Sequence, residues 1–190
     1  MLIGLAVVSG IIIFLLIYVI TIYNGLVNLK HNVSRNFANI DVLLKQRHDE
    51  LPKLVETCKQ YMGYEQETLT RVIEARQQVA SAQASGDIKA LGAAETQMRL
   101  GLGNLFAVAE DYPELKADDA FAKLQQRISG LESAIADRRE VYNEAVNNNN
   151  VRIEQFPDVI VARLFNFQAF DLLSFREEEL ADVDIKALFS

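Results

Sequence analysis

The side chains that acid–base, metal or nucleophilic chemistry would call on are few in this chain of 190 residues: two histidines, His31 and His48, and one cysteine, Cys58. A helix that binds a metal needs ligands three or four residues apart on one face, and the histidines stand 17 residues apart. Neither has a glutamate three residues before it, so the Glu-x-x-His pair of carboxylate-bridged di-iron bundles is missing. A lone thiol cannot build a thiolate zinc centre, and on an apolar seam it reads as core. The densest titratable group is His48, Asp49 and Glu50, but three consecutive residues of a helix point in three directions. Joined by the Arg138–Arg139 pair, this triplet is where an enzyme, or an enzyme's accessory, would hold a metal or an anion, and it is kept as the alternative reading. Gly101-Leu102-Gly103 resembles the start of a phosphate-cradling loop, but Phe106 takes the third glycine's place and no strand precedes it. No catalytic, metal or cofactor-binding residue is therefore assigned, no cofactor is expected, and the chain reads as a non-enzyme.

The elements that would position such groups begin with an anchor. From Leu2 to Tyr23 there is no charge, and 18 of the 22 residues are apolar. As a helix this run reaches ~33 Å, enough for a hydrocarbon core of ~30 Å. The basic start and small-residue cleavage site of a cleaved leader are missing, so residues 1–23 are expected to be an uncleaved transmembrane anchor with Leu2, Ile12, Phe14, Leu16, Tyr18, Ile20 and Tyr23 facing lipid or its boundary. Lys30, Arg35, Lys45 and Arg47 follow it, whereas only Met1 precedes it, which predicts an outside N-terminus and a cytoplasmic body. A single cysteine suits that reducing compartment.

Beyond the anchor, apolar residues recur at steps of three and four: Leu26, Leu29, Val33, Phe37, Ile40, Leu44, Leu51, Leu54, Cys58, Tyr61, and later Leu69, Val72 and Val79. Arg47 and Glu65 occupy seam positions where the run skips. This heptad-like stripe predicts one helix over about 24–84, kinked at Pro52 and stopped by Gly86-Asp87. Further stripes predict helices over about 87–112, 118–156 and 159–173, with stops at Tyr112-Pro113 and Phe156-Pro157. Asn147–Asn150, a poor helix-forming run, marks a fray or a polar contact. The expected fold is all-α: an N-terminal transmembrane helix followed by an antiparallel bundle of long helices over 24–173. Phe37, Ile40, Leu44, Leu54, Tyr112, Phe121, Arg138, Tyr142 and Phe156 are the expected helix-contact residues. The first helix outreaches the second, so part of its stripe calls for cover by later helices or by another copy of the chain.

A net charge of −7 with no basic, aromatic-rich patch argues against nucleic acid. The last 20 residues carry −4 of it, which marks 174–190 as an acidic tail suited to docking or to solvation. The expected partners are the lipid bilayer, the chain itself and a membrane or cytoplasmic protein whose identity the residues do not reveal.

Tyr23-Asn24-Gly25-Leu26-Val27, Asn39-Ile40-Asp41-Val42 with Leu44-Lys45, and Leu51-Pro52 followed by Leu54-Val55-Glu56-Thr57 together resemble the opening of the LemA family. Ala75-Arg76, Glu110 with Tyr112-Pro113, Leu115-Lys116-Ala117, Phe121, Leu124-Gln125, Arg138, Tyr142-Asn143, Val146, Asn150, Ile153, Phe156-Pro157, Ala162 and Phe165 extend the likeness to about residue 170. The sequence departs from the family pattern at Phe37, His48, Tyr64 and Asn149. The resemblance implies a bacterial inner-membrane protein with a single span, a cytoplasmic bundle of long helices and no established catalytic activity.

Overall fold

A computed structural model describes residues 2–174, so the acidic tail expected over 174–190 lies outside the described residues apart from Ser174. The described chain forms helices α1 (Leu2–Tyr61), α2 (Gln66–Ser85), α3 (Ile88–Ala109), α4 (Pro113–Lys116), α5 (Asp119–Glu154) and α6 (Asp158–Leu164). No strand occurs among the described residues, and the fold is all-α as expected. The contacts divide into two units, one of residues 2–38 with 140–171 and one of 39–139 with 172–174.

In the second of these units the apolar seam dictates the packing. Ile40, Leu44, Leu51, Leu54 and Cys58 are almost completely buried at the predicted three- and four-residue steps. Pro52 sits inside α1 without ending it, and Leu51 before it and Leu54 after it are both buried. The single helix expected over 24–84 is, however, two. α1 ends at Tyr61, four residues form a turn, and α2 returns antiparallel, because Gln83 bonds Asp41 and Arg76 Nε donates to the His48 carbonyl at 3.0 Å. Leu69, Val72 and Val79 are thus the buried face of a second helix, with Met62 buried in the turn itself. Two tyrosines pin that turn: Tyr61 Oη donates to Asp118 Oδ2 at 2.9 Å, and Tyr112 Oη donates to Glu65 Oε1 at 3.4 Å. The reversal also removes the length mismatch, so no second copy is needed to cover the stripe.

Helix ends follow local chemistry. Gly86, at φ +69°, closes α2 in the left-handed region that glycine adopts without penalty, and Asp87 caps α3 by accepting from the Ala90 N–H at 2.9 Å. Asp118 accepts from the Ala120 and Phe121 N–H groups at 2.8 and 2.9 Å and so starts α5. The backbone N–H of Phe121, joined by the Tyr61 hydroxyl, holds the Asp118 carboxyl below its ordinary range. Gly101 faces α2, where a Cβ would make ordinary contact with Val72; a Cβ at Gly103 would meet nothing, and one at Gly92 would collide with the carbonyl of the non-helical Ser174.

In the first unit, Ile22 and Leu26 of α1, Ile153 of α5, and Val161 and Ala162 of α6 form one buried cluster flanked by Val19 and Phe167. Tyr142 and Phe37 meet with ring centroids 5.7 Å apart, so α5 runs antiparallel to α1 here. The helix expected over 159–173 ends at Leu164. Asn166 adopts φ +55°, and the Phe167 N–H returns to the Ala162 carbonyl at 2.9 Å, the bond pattern that closes a helix through a left-handed residue. From Phe167 to Ser174 the chain is a non-helical strap. Upstream, none of the most apolar window of α1 is buried; this stretch is long and apolar enough to cross a membrane by length and composition.

Replacing Asp87 with Ala removes the cap of α3. Denaturant unfolding of the full chain in detergent is expected to show a loss of about 1 kcal/mol.

Candidate functional site

The first charged group inside the core is one that the seam itself carries. Arg47, 1% exposed, replaces an apolar residue on the buried face of α1. Its Nη2 pairs with Glu95 of α3, also buried, and its Nη1 pairs with the half-buried Glu132 of α5. Burial opposes the charge on Arg47, but the fields and hydrogen bonds of Glu95 and Glu132 outweigh it and hold the guanidinium above its ordinary value. Burial pushes the Glu95 carboxyl up, against the pull of Arg47. Glu95 Oε2 is enclosed with no hydrogen-bond partner among the described residues. A planar fork bridging two carboxylates fixes the mutual register of three helices, because any axial slip would strand a charge in the core. The signal was legible as a break in the apolar stripe, although its partners were not. Arg47 also leaves the basic collar after the anchor, which is reduced to the exposed Lys30, Arg35 and Lys45.

The triplet beside it does not converge. Asp49 is exposed, while Glu50 turns inward to ion pairs with Lys53 and Arg127, both at 3.2 Å. Partial burial, helped by Arg76, holds His48 below its ordinary value and therefore neutral at pH 7. Arg138 is exposed. Among the described residues no three His, Cys, Asp or Glu side chains lie close enough to share a metal. Cys58 is fully buried, and burial pushes its thiol up to about 11.

Of the expected contact residues, Ile40, Leu44, Leu54, Phe121 and Tyr142 are buried, and Phe37 and Tyr112 are half-buried. Phe156 and Arg138 are the exceptions: Phe156 is 82% exposed rather than packed on a helix, and Arg138 is exposed as well. The anchor positions Leu2, Ile12, Phe14, Leu16, Tyr18, Ile20 and Tyr23 are all exposed in the chain by itself.

The asparagine run has a task that composition did not reveal. The Phe170 N–H donates to Asn150 Oδ1 at 3.0 Å, and Asn150 Nδ2 donates back to the Phe170 carbonyl at 2.9 Å. Asn149 Nδ2 reaches the Gln168 carbonyl at 3.4 Å, and Tyr142 Oη donates to the Asp171 carbonyl at 3.0 Å. A side-chain amide carries both a donor and an acceptor, so it can satisfy the backbone of a strap that makes no helix of its own. Burial raises the Tyr142 hydroxyl to about 12, keeping it a donor at physiological pH. Tyr23, Lys30, His31, Asn149 and the strap line a cavity of about 530 Å³.

A continuous helix that carries no charge at first and then buries a single stripe, set among antiparallel helices with no strand among the described residues, defines the class: an all-α bundle protein headed by an apolar helix. The family model described as "LemA family" matches residues 36–186, and the chain belongs to the LemA family. It is 24% identical over 186 residues to "Magnetosome protein MamQ 2" of Paramagnetospirillum magneticum, covering 86% of this chain and 68% of that protein. It is 22% identical over 186 residues to "Magnetosome protein MamQ" of Magnetospirillum gryphiswaldense, with the same coverage. To "Protein LemA" of Metamycoplasma hominis it is 24% identical over 167 residues, covering 87% of this chain and 74% of that protein.

Arg47→Met leaves two carboxylates without their cation and is expected to cost about 3–5 kcal/mol in denaturant unfolding, whereas Arg47→Met with Glu95→Leu and Glu132→Leu recovers most of that loss. A disulfide reagent at pH 8 is expected to leave Cys58 unlabelled in the folded chain and to label it fully in denaturant, since the thiolate is both buried and scarce.

Proposed function

We propose that this protein is a membrane-tethered helical scaffold: residues 2–23 cross the bacterial inner membrane once, and the body stands on the cytoplasmic side and acts through contacts with other proteins. The observation that carries the reading is the course of α1, which passes without interruption from a run with no buried residue to a stripe buried or half-buried at steps of three and four. A helix surrounded by lipid needs no stripe, and one flanked by helices and water needs only one, so the change of pattern near Ile22 supports a change of solvent there. The exposed Lys30, Arg35 and Lys45 on the body side favour a cytoplasmic body. Membership of the LemA family supports the tethered bundle, and the burial of Arg47, Glu50 and Cys58 in packing and ion pairs favours a structural use of these groups over a catalytic one. Leu26, Val33, Ile40, Leu44, Leu51 and Leu54 are covered within one chain, so the stripe of α1 does not of itself call for self-association.

Protease added to sealed inner-membrane vesicles tests the topology. The body is expected to be digested when the cytoplasmic face is outward and protected when it is inward. Digestion from the periplasmic face overturns the orientation, and release of the intact chain by alkaline carbonate overturns the span. For the scaffold role, crosslinking of the full chain in native membranes is expected to capture a partner in stoichiometric yield; recovery of uncrosslinked monomer alone overturns it.

A further inference from the structure

α6 and the turn before it present an apolar row to the outside of the molecule. Phe156, Ile160 and Leu164 recur at four-residue intervals and are 82%, 59% and 71% exposed. Phe156 lies in the turn that leads into α6, joined to it through a cis bond to Pro157. Phe165 adds a half-exposed ring, and Arg163 between them is exposed too. The opposite face is anchored: Val161 and Ala162 are buried against the cluster of Ile22, Leu26 and Ile153, with Val19 at its edge. The Phe165 ring lies edge-on to Tyr23 with centroids 4.8 Å apart.

That anchorage sets the depth of the row. Tyr23 ends the apolar run of α1, and Val19 lies ~6 Å further along the helix toward the centre of the run. An amphipathic helix lying in a membrane interface sinks its apolar face ~5–10 Å into the boundary between headgroups and acyl chains. A helix held between the levels of Val19 and Leu26 therefore sits where that boundary falls. We propose that the segment from Phe156 to Phe165 is a second, in-plane attachment to the bilayer, in which Phe156, Ile160, Leu164 and Phe165 enter the headgroup–acyl boundary beside the emerging α1 while Arg163 remains among the lipid phosphates. This rests on the reading of residues 2–23 as a span. The same row facing water would be an unusual cluster of large apolar side chains for a helix of only seven residues. The occupant is lipid rather than protein because the helix is fixed to the end of the span itself.

The chain contains no tryptophan, so single insertions report depth without background. Leu164→Trp and Ile160→Trp probe the row, Ile12→Trp probes the span, and Val141→Trp is an exposed control on α5. Val141 adjoins the Tyr142–Phe37 contact, and Phe37 lies ~21 Å beyond Tyr23 along α1. The full-length variants are reconstituted in phosphatidylcholine–phosphatidylglycerol vesicles carrying lipids spin-labelled either near the headgroup or near the acyl-chain end. Both row variants are expected to show blue-shifted emission that is lost chiefly to the shallow label, Ile12→Trp to lose its emission chiefly to the deep label, and Val141→Trp to respond to neither. If Ile12→Trp is quenched while both row variants behave as Val141→Trp does, the attachment is overturned and the span stands. Blue-shifted row emission that neither lipid label quenches means a second copy or another protein covers the row, and also overturns it. Quenching of Val141→Trp equal to that of the row overturns the assignment to α6. An Ile12→Trp that the deep label does not quench removes the span, and the attachment with it.

Discussion

A backbone in hydrocarbon must satisfy its own hydrogen bonds, and a helix in water must hide one face; α1 is a single uninterrupted element whose pattern suits first the one demand and then the other. Before Val19 every described side chain of α1 is exposed, and from Ile22 onward one face is hidden at steps of three and four. Everything else in the structure answers to that change. α2 and α3 fold back beside the seam in one unit, α6 closes over Ile22 and Leu26 in the other, and α5 contributes to both.

The buried arginine is the polar counterpart of that seam. Apolar stripes tolerate sliding by whole turns, because one leucine fills a space much as another does. A guanidinium shared between Glu95 and Glu132 does not, since a shift by one turn would leave all three charges without partners in the interior. Register is thus held by an element that contributes little net stability, whereas stability comes from the leucines on either side. The paired tyrosines at the α1–α2 turn act similarly at one end, tying Tyr61 to the residue that caps α5.

Two places show how far periodicity carries. The stripe over Leu26–Val79 reads as one helix because a four-residue turn leaves the heptad phase nearly undisturbed, and nothing in the pattern records whether the chain goes on or doubles back. Gly63 in that turn was the available cue, though a glycine alone is weak evidence for a stop. The density of aromatics after Pro157 reads as helix for a related reason: apolar residues announce burial but not the backbone that delivers it. There the decisive residues lay elsewhere in the chain, in Asn149 and Asn150, whose amides supply the hydrogen bonds that a strap cannot make for itself.

By itself the amino-acid sequence determined the helical class, the apolar head, the buried phase of the long helices and the stop at Gly86-Asp87, because all of these depend on spacing and on chemistry within a few residues. It also marked Arg47 as an intruder on the seam. Only the tertiary structure decided where α1 ends, that Glu95 and Glu132 are the partners of Arg47, that Glu50 turns inward while Asp49 does not, and that Phe156 lies outside rather than inside. Each of those outcomes rests on which distant segment arrives alongside, and pairing between residues tens of positions apart leaves no periodic trace in either partner.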